Sequence, residues 1–151
     1  GQERGLRSGT ENVALAAGFA KAFEIISTER TAEAQRLLKL RNNFAGEIIA
    51  QIPTAVVNGD VKCALPHMLN ISIPDIQSEY IALSLDRHGI AVSTKSACAE
   101  GGAKQSHVVA VLGGEPWRAE NTLRFSLGRD TTEKELSKTA SILAKILMRS
   151  V

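Results

Sequence analysis

One of the two cysteines lies where a thiol could do chemistry. Cys98 sits within a run of small and polar residues, 93–102, that follows the apolar run Gly89–Val92. Ser, Ala and Gly form no core, so this run predicts a flexible, accessible loop rather than a buried thiol. An accessible cysteine can act as a nucleophile and then carry the group it has taken. An incidental cysteine in a surface loop explains these residues equally well.

An arginine in an alternating segment is the second candidate. Arg124 lies within 121–127, which alternates in the manner of a strand, and Leu123 and Phe125 would point to the opposite face. A guanidinium fork can hold a carboxylate through two charge-assisted hydrogen bonds. A strand arginine in a surface ion pair is the alternative from these residues alone.

The third candidate is a threonine that precedes a predicted helix. Thr10 ends a Ser8-Gly9-Thr10 turn. Free N–H groups and the positive end of the dipole at a helix start suit a phosphate. The same turn is equally consistent with a plain helix cap, and both roles can hold together.

Hydrophobic periodicity and turn signals predict the elements that must position these side chains. The predicted helices cover about 10–27, 30–51, 75–88 and 132–148, with a helical turn at 107–112, and the predicted strands cover 54–57, 68–73, 90–93 and 121–127. Capping boxes at Ser8–Glu11 and Thr132–Glu135 are expected to open the first and last helices. Asp75 is expected to cap the third helix. Strands separated by helices predict an α/β (α+β) fold, arranged as a two-layer sandwich.

Apolar residues recur at helical spacing in three of these helices, and they mark the expected inward faces of the second and the last. The set is Val13, Ala16, Ala20, Phe23 and Ile26 in the first helix, Leu37, Leu40, Phe44 and Ile48 in the second, and Leu136, Ala140, Leu143 and Leu147 in the last. Trp117 is expected to be a packed loop residue.

Composition limits the function classes. The chain has 151 residues, 44% hydrophobic and 23% charged, which is typical of a soluble globular domain with a core. Its formal charge of +2 comes from scattered side chains, so no nucleic-acid partner is expected. No apolar run could span a bilayer, so no membrane partner is expected.

Two cysteines exclude a disulfide framework and favour the cytoplasm, and Cys63 is predicted to be a bystander. His and Cys lack metal-ligand spacing, so no metal site is predicted.

Four segments together resemble the group I (NifS/IscS-like) cysteine desulfurases of the class V aminotransferase family. They follow one another in the family's order and are 1–12, 67–73, 93–102 and 123–135. The resemblance covers essentially the whole chain. It implies a small, mainly antiparallel sheet covered by helices, as in the C-terminal domain of fold type I pyridoxal phosphate enzymes.

The resemblance also implies a division of the chain. Residues 1–10 would end the active-site segment of the cofactor domain, and 11–151 would form the small domain that carries the cysteine loop, about 93–106. Because Gly1 opens within a family motif, we expect the large cofactor domain to lie upstream, outside this chain. The lysine that binds the cofactor would lie there too, so the fragment alone is expected to be inactive.

Roles for the three candidate residues follow from the resemblance. Cys98 would be the nucleophile and persulfide carrier when L-cysteine is converted to L-alanine with pyridoxal 5'-phosphate. Arg124 would bind the substrate carboxylate, Thr10 would help to hold the cofactor phosphate of the neighbouring subunit, and Arg129 would be structural. The implied partners are a second copy in a homodimer and an iron–sulfur scaffold or another sulfur-acceptor protein.

Two departures from the family pattern lie beside the cysteine. Lys95 replaces a usual glycine and could lower the thiol pKa of Cys98, whereas Glu100 would act against a thiolate. Three alternatives stay open: a selenocysteine lyase, a class V transaminase with an unused cysteine, and a stand-alone sulfur-acceptor or docking module.

Overall fold

The computed structural model describes residues 2–6, 8–94 and 105–149. The chain divides into two compact units, Gly1–Glu33 and Ala34–Val151, and helix α1 contributes to both. The elements in chain order are a 3-10 helix at Gln2–Gly5, α1 at Val13–Gln51, β1 at Val56–Val57, β2 at Met68–Ser72, α2 at Ser78–Asp86, α3 at His107–Leu112, α4 at Trp117–Glu120, β3 at Thr122–Ser126 and α5 at Glu133–Arg149. The predicted domain boundary between residues 10 and 11 stays a prediction.

Helix α1 begins later than its sequence pattern predicts. The Oδ1 atom of Asn12 accepts a hydrogen bond from the Leu15 backbone N–H at 3.0 Å, which makes Asn12 the N-cap. The prediction that a capping box at Ser8–Glu11 opens this helix is therefore wrong. Asn is among the strongest N-cap residues, and here it stands directly before the helix.

A single helix replaces the two predicted over 10–27 and 30–51. The polar residues at the predicted break do not interrupt it. The Ser27 hydroxyl donates to the Phe23 carbonyl at 2.7 Å, and the Thr28 hydroxyl donates to the Ile25 carbonyl at 2.8 Å. Both hydroxyls donate to carbonyls of the preceding helical turn. Their hydrogen-bonding needs are therefore met within the helix, which continues past them.

The first part of α1 exposes the apolar residues that recur along it at helical spacing. Val13, Phe23 and Ile26 are 74%, 65% and 59% exposed. Ala16 and Ala20 are exposed too, so this apolar face is uncovered in the unit that contains it. Periodicity identifies an apolar face, but it does not supply the surface that would cover that face.

The second unit contains an antiparallel sheet with strand order β1-β2-β3. Strand β2 pairs with β3 along its full length, which places Asn70 opposite Arg124. The predicted strand at 90–93 is reduced to one isolated bridge between Ser93 and Arg124. The predicted strand at 54–57 is present only at 56–57. The expectation of a small, mainly antiparallel sheet covered by helices is confirmed.

One core joins the sheet to the helices of the second unit. Leu123 and Phe125 are buried and alternate with the half-buried Arg124, as the strand pattern predicts. Phe125 meets Phe44 of α1 edge to face, with ring centroids 5.1 Å apart. An aromatic pair of this kind adds about 0.5–1.5 kcal/mol beyond the area that it buries. The other members of the core are mainly aliphatic side chains: Leu37, Ile48, Ile52, Ala55, Leu69, Ile71, Ile73, Ile81, Leu85, Leu127, Leu136, Ala140, Leu143 and Ala144.

Helix α5 begins as its sequence predicts. The Thr132 backbone N–H donates to Glu135 Oε2 at 2.8 Å, and the Glu135 N–H donates to the Thr132 hydroxyl at 3.3 Å. The Thr132 hydroxyl also donates to Glu135 Oε2 at 2.8 Å. That side-chain bond, followed by the backbone bond, holds the pKa of Glu135 below its ordinary value. These reciprocal bonds are those of a capping box.

Two local predictions between the strands are wrong. Helix α2 begins at Ser78 after an N-cap, Gln77, that makes no side-chain bond. Asp75 instead has a φ of +58°, so it forms part of the preceding turn and does not cap the helix. Trp117 is half-buried at the start of a one-turn helix rather than in a loop.

Candidate functional site

Arg124 lies directly opposite the residue from which the cysteine segment departs. The Arg124 backbone N–H donates to the Ser93 carbonyl at 2.7 Å, and the Ser93 N–H donates to the Arg124 carbonyl at 3.1 Å. Exchange of both bonds makes the two residues a hydrogen-bonded antiparallel pair. This pairing fixes the backbone at the entrance to the cysteine segment relative to β3.

The Arg124 side chain is held at one nitrogen and unsatisfied at another. Nη2 donates to the Ser93 hydroxyl at 3.2 Å. The Nε atom is buried and has no hydrogen-bond partner, and no other buried side-chain N or O atom in the described ranges shares that condition. A buried donor without an acceptor costs about 1–3 kcal/mol. An acceptor such as a carboxylate oxygen would remove that penalty.

A polar network occupies the neighbouring strands on the same side of the sheet. Arg118 donates to Asn58 Oδ1 through Nη2 at 2.7 Å and Nε at 3.0 Å, and also to the Val57 carbonyl at 3.2 Å. Asn58 Nδ2 then donates at 2.6 Å to Asn70 Oδ1 and at 2.6 Å to the hydroxyl of the buried Ser72. The network ties α4 to β1 and β2.

This network also sets the orientation of the amide opposite Arg124. Because Arg118 carries only donors, the Asn58 atom that faces it must be the oxygen. The Asn58 NH2 group therefore faces Asn70, and the Asn70 atom that it meets must be the oxygen. The Thr122 hydroxyl donates to the same Asn70 oxygen at 2.7 Å. The Asn70 side-chain amide opposite Arg124 is therefore held in one orientation on this face of the sheet.

The sequence pattern did not identify this network. Asn58 is followed by Gly59, a pair that is typical of a turn, and Arg118 stands in a stretch without apolar periodicity. A polar residue within an apolar strand, such as Asn70 between Leu69 and Ile71, was the one available signal.

Thr10 lies in the other compact unit, three residues before α1 begins. It is exposed, and within the described residues its hydroxyl has no hydrogen-bond partner. The preceding Gly9 has a φ of +129°, a backbone conformation that side-chain-bearing residues rarely adopt. An accessible hydroxyl ahead of a helix start fits the phosphate end of a cofactor.

Cys98 and its neighbours Lys95 and Glu100 lie outside the described residues. The exposed Cys63 donates its thiol to Asp60 Oδ2 at 3.6 Å within a surface turn. The carbonyl of Arg129 accepts a bond at 2.9 Å from Arg36 of α1. In the described ranges, no group of three or more His, Cys, Asp or Glu side chains could hold a metal ion.

A groove of about 450 Å³ opens elsewhere on the second unit. It lies between residues 88–91, the end of β3 and the start of α5. Neither Arg124 nor Ser93 lines it. The candidate site is therefore the polar face of the sheet, not this groove. Separately, none of the described helices is long and apolar enough to cross a membrane.

Known proteins resemble the chain over nearly its whole length. A family model described as aminotransferase class V matches residues 1–138. A cysteine desulfurase of Trichormus azollae is 37% identical over 148 residues, which covers 98% of this chain and 37% of that protein. The cysteine desulfurase IscS 1 of Archaeoglobus fulgidus is 38% identical over 149 residues, covering 99% of this chain and 39% of that protein.

Solved structures give the same result. A structure titled NifS-like protein matches with a TM-score of 0.83 and 32% sequence identity, covering 99% of this chain and 37% of that chain. A NifS-like protein from Rickettsia africae matches with a TM-score of 0.74 and 27% identity, covering 100% of this chain and 38% of that chain. The chain thus spans well under half the length of the proteins that it matches.

Proposed function

This chain belongs to the aminotransferase class V family, and from that membership we propose that it is the C-terminal part of a pyridoxal phosphate-dependent cysteine desulfurase. The whole protein would take L-cysteine and form L-alanine and a persulfide on Cys98. The similarity to proteins named cysteine desulfurase supports this activity over other chemistries of the family.

Arg124 carries the proposal within the described structure. Its guanidinium is anchored by Ser93, and its buried Nε lacks an acceptor. A free amino acid presents a carboxylate, whose oxygens accept charge-assisted hydrogen bonds from such a donor. Arg124 would therefore bind the substrate carboxylate at the strand from which the cysteine segment departs.

Thr10 would contribute to the cofactor site through its open hydroxyl, which would donate to the phosphate. Bound pyridoxal phosphate supplies an electron sink that labilises bonds of the substrate amino acid. In the proposed enzyme, the lysine that binds this cofactor would lie upstream of this chain. The fragment alone is accordingly expected not to turn over L-cysteine.

Cys98 would perform the sulfur transfer. Its thiolate attacks the sulfur of the bound substrate, a new S–S bond forms, and the carbon–sulfur bond breaks with its electron pair left on carbon. Protonation of that carbon completes L-alanine. One cysteine and one enzyme thiol give one alanine and one persulfide, so no external oxidant is needed. A sulfur-acceptor protein would then take the persulfide sulfur.

The intracellular setting and assembly complete the proposal. A homodimer in the cytoplasm would bring the Thr10 segment of one subunit to the cofactor of its neighbour. An iron–sulfur scaffold or another sulfur carrier would be the acceptor, because a persulfide needs a thiol or a cluster-assembly site to receive it.

Intact mass spectrometry tests the activity. The full-length protein is incubated with L-cysteine and pyridoxal phosphate, with wild type beside Cys98→Ser. We expect wild type alone to gain one sulfur atom and to produce alanine. Alanine formed only from selenocysteine would instead indicate a lyase. No mass gain in a cofactor-loaded protein would indicate a transaminase in which Cys98 is only a loop residue.

A further inference from the structure

We propose that Ser93 is a positioning residue that orients the Arg124 guanidinium for the substrate carboxylate. This inference rests on the proposed function and assigns a role to a side chain that the proposed reaction does not otherwise use. Its starting point is the bond from Arg124 Nη2 to the Ser93 hydroxyl, at 3.2 Å between two half-buried residues.

Arginine needs such a restraint because its side chain is long. Free rotation about its bonds spreads the guanidinium over many positions, and ordering it costs side-chain entropy. In the described structure the Arg124 side chain has a single hydrogen-bond partner, Ser93. None of the carboxylates in the described part of the chain pairs with it, so among these residues no anion competes for its positive charge.

The backbone pairing makes Ser93 suited to this role. Two main-chain hydrogen bonds hold Ser93 opposite Arg124, so its Cβ position is set by the sheet and not by its own side chain. The hydroxyl then only needs one rotamer to accept from Nη2. Removal of the hydroxyl leaves both main-chain hydrogen bonds in place. A Ser93 variant can therefore change the orientation of the guanidinium without changing the fold.

The unsatisfied Nε atom indicates what the restraint is for. Holding Nη2 against Ser93 fixes the plane of the guanidinium and leaves the buried Nε–H without an acceptor. A carboxylate bound there receives a donor that is already aligned, so less entropy is lost on binding. Ser93 thereby acts through Arg124 and need not touch the substrate.

Steady-state kinetics of the full-length, cofactor-loaded protein tests this role. Ser93→Ala is expected to raise the KM for L-cysteine about three- to tenfold, the worth of one ordinary hydrogen bond, with kcat within about twofold of wild type. Ser93→Thr keeps the hydroxyl and is expected to restore the KM. Ser84→Ala, which alters a half-buried serine on α2, is the matched control and should leave both constants unchanged.

A binding experiment without turnover isolates the carboxylate. Calorimetric titration with L-alanine and with L-alaninamide compares ligands that differ in the carboxylate. Ser93→Ala should weaken L-alanine binding by the same three- to tenfold factor and leave L-alaninamide binding unchanged. Equal weakening of both ligands, or no weakening of either, would overturn the role of Ser93.

The two proposals fail in different ways. If wild type makes no alanine from L-cysteine, the proposed desulfurase activity is wrong, while the titrations still decide the role of Ser93. If wild type is active and Arg124→Gln abolishes L-alanine binding but Ser93→Ala does not weaken it, only the positioning role is wrong.

Discussion

Arg118 donates two hydrogen bonds to the Oδ1 atom of Asn58, from Nη2 at 2.7 Å and from Nε at 3.0 Å. The acceptor side chain is 7% exposed, so water cannot replace the arginine without reordering the network. Through Asn58 the contact extends to Asn70, which lies opposite Arg124 in the sheet. One arginine on a one-turn helix thus organises the polar face that carries the candidate site.

Removal of this arginine should destabilise the fold. Arg118→Met keeps much of the side-chain volume but leaves the Asn58 oxygen and the Val57 carbonyl without their donor. We expect the free energy of unfolding to fall by about 1.5–3 kcal/mol, the usual worth of hydrogen bonds to a charged group. Urea unfolding measures it, with Arg87→Met, at an exposed arginine on the same unit, as the control. A loss no larger than that of the control would contradict the role given to Arg118.

Another arginine, Arg41, is buried, and none of its partners among the described residues is a carboxylate. Arg41 is 2% exposed and donates to the carbonyls of Val61 at 2.8 Å and Leu65 at 3.0 Å. Three carbonyls and one amide oxygen together satisfy its guanidinium, because Ala64 and Asn42 accept as well. The arginine therefore holds the 61–65 turn against α1.

Arg41→Met should release that turn. We expect trypsin to cleave after Lys62 at least several-fold faster than in wild type, because the turn loses the donor that orders its backbone. The free energy of unfolding, measured with urea, should fall by about 2–4 kcal/mol, because several buried carbonyls lose a charged donor at once. Lys39→Met, at an exposed position on the same helix, is the control. Unchanged cleavage after Lys62 would mean that the turn is ordered without Arg41.

Sequence patterns predicted most of the second unit because its elements satisfy local rules. Leu123, Arg124 and Phe125 alternate across β3 as a two-residue period requires, and the Thr132–Glu135 box marks the start of α5 where the structure has it. Each of these features depends on residues within a few positions of one another. Local chemistry and tertiary structure agree there.

Features that depend on distant residues could not be predicted. The pairing of Ser93 with Arg124 spans 31 positions, and that of Arg118 with Asn58 spans 60. Arg41 was missed because a charged residue within a helix normally faces solvent. The break predicted after residue 27 was wrong because a hydroxyl can bond its own helix as readily as it can cap the next.

Two adjacent isoleucines test the position of the core on α1. Ile48 is fully buried, whereas Ile49 is 43% exposed. Ile48→Ala should cost about 2–5 kcal/mol, because it removes buried methyl groups and leaves a cavity. Ile49→Ala should cost less than about 1 kcal/mol, since Ala favours the helix and little buried surface is lost. If the urea midpoints fell equally for both variants, the conclusion that α1 packs against the core through Ile48 and not through Ile49 would be wrong.

The capping box at α5 makes a prediction about pH. Bonds from Thr132 lower the pKa of Glu135 below its ordinary value of 4.5, so the folded state favours the carboxylate. The stability that these bonds contribute is complete above that ordinary value and is lost as the pH falls through the lower, folded value. Glu135→Gln should therefore be less stable than wild type at neutral pH, with the difference narrowing in acid.

The matched control for this prediction is the partner residue. Thr132→Ala removes the side-chain bond, which is the larger cause, but leaves the backbone N–H that also donates to Glu135. It should cost about 0.5–2 kcal/mol as the loss of an N-cap. When position 132 is Ala, the difference in the free energy of unfolding between Glu and Gln at position 135 should depend less on pH than it does with Thr132. It should not disappear. Urea unfolding of the four variants from neutral pH to below 4.5 measures the coupling, and a difference that is independent of pH would contradict the capping-box origin of the lowered pKa.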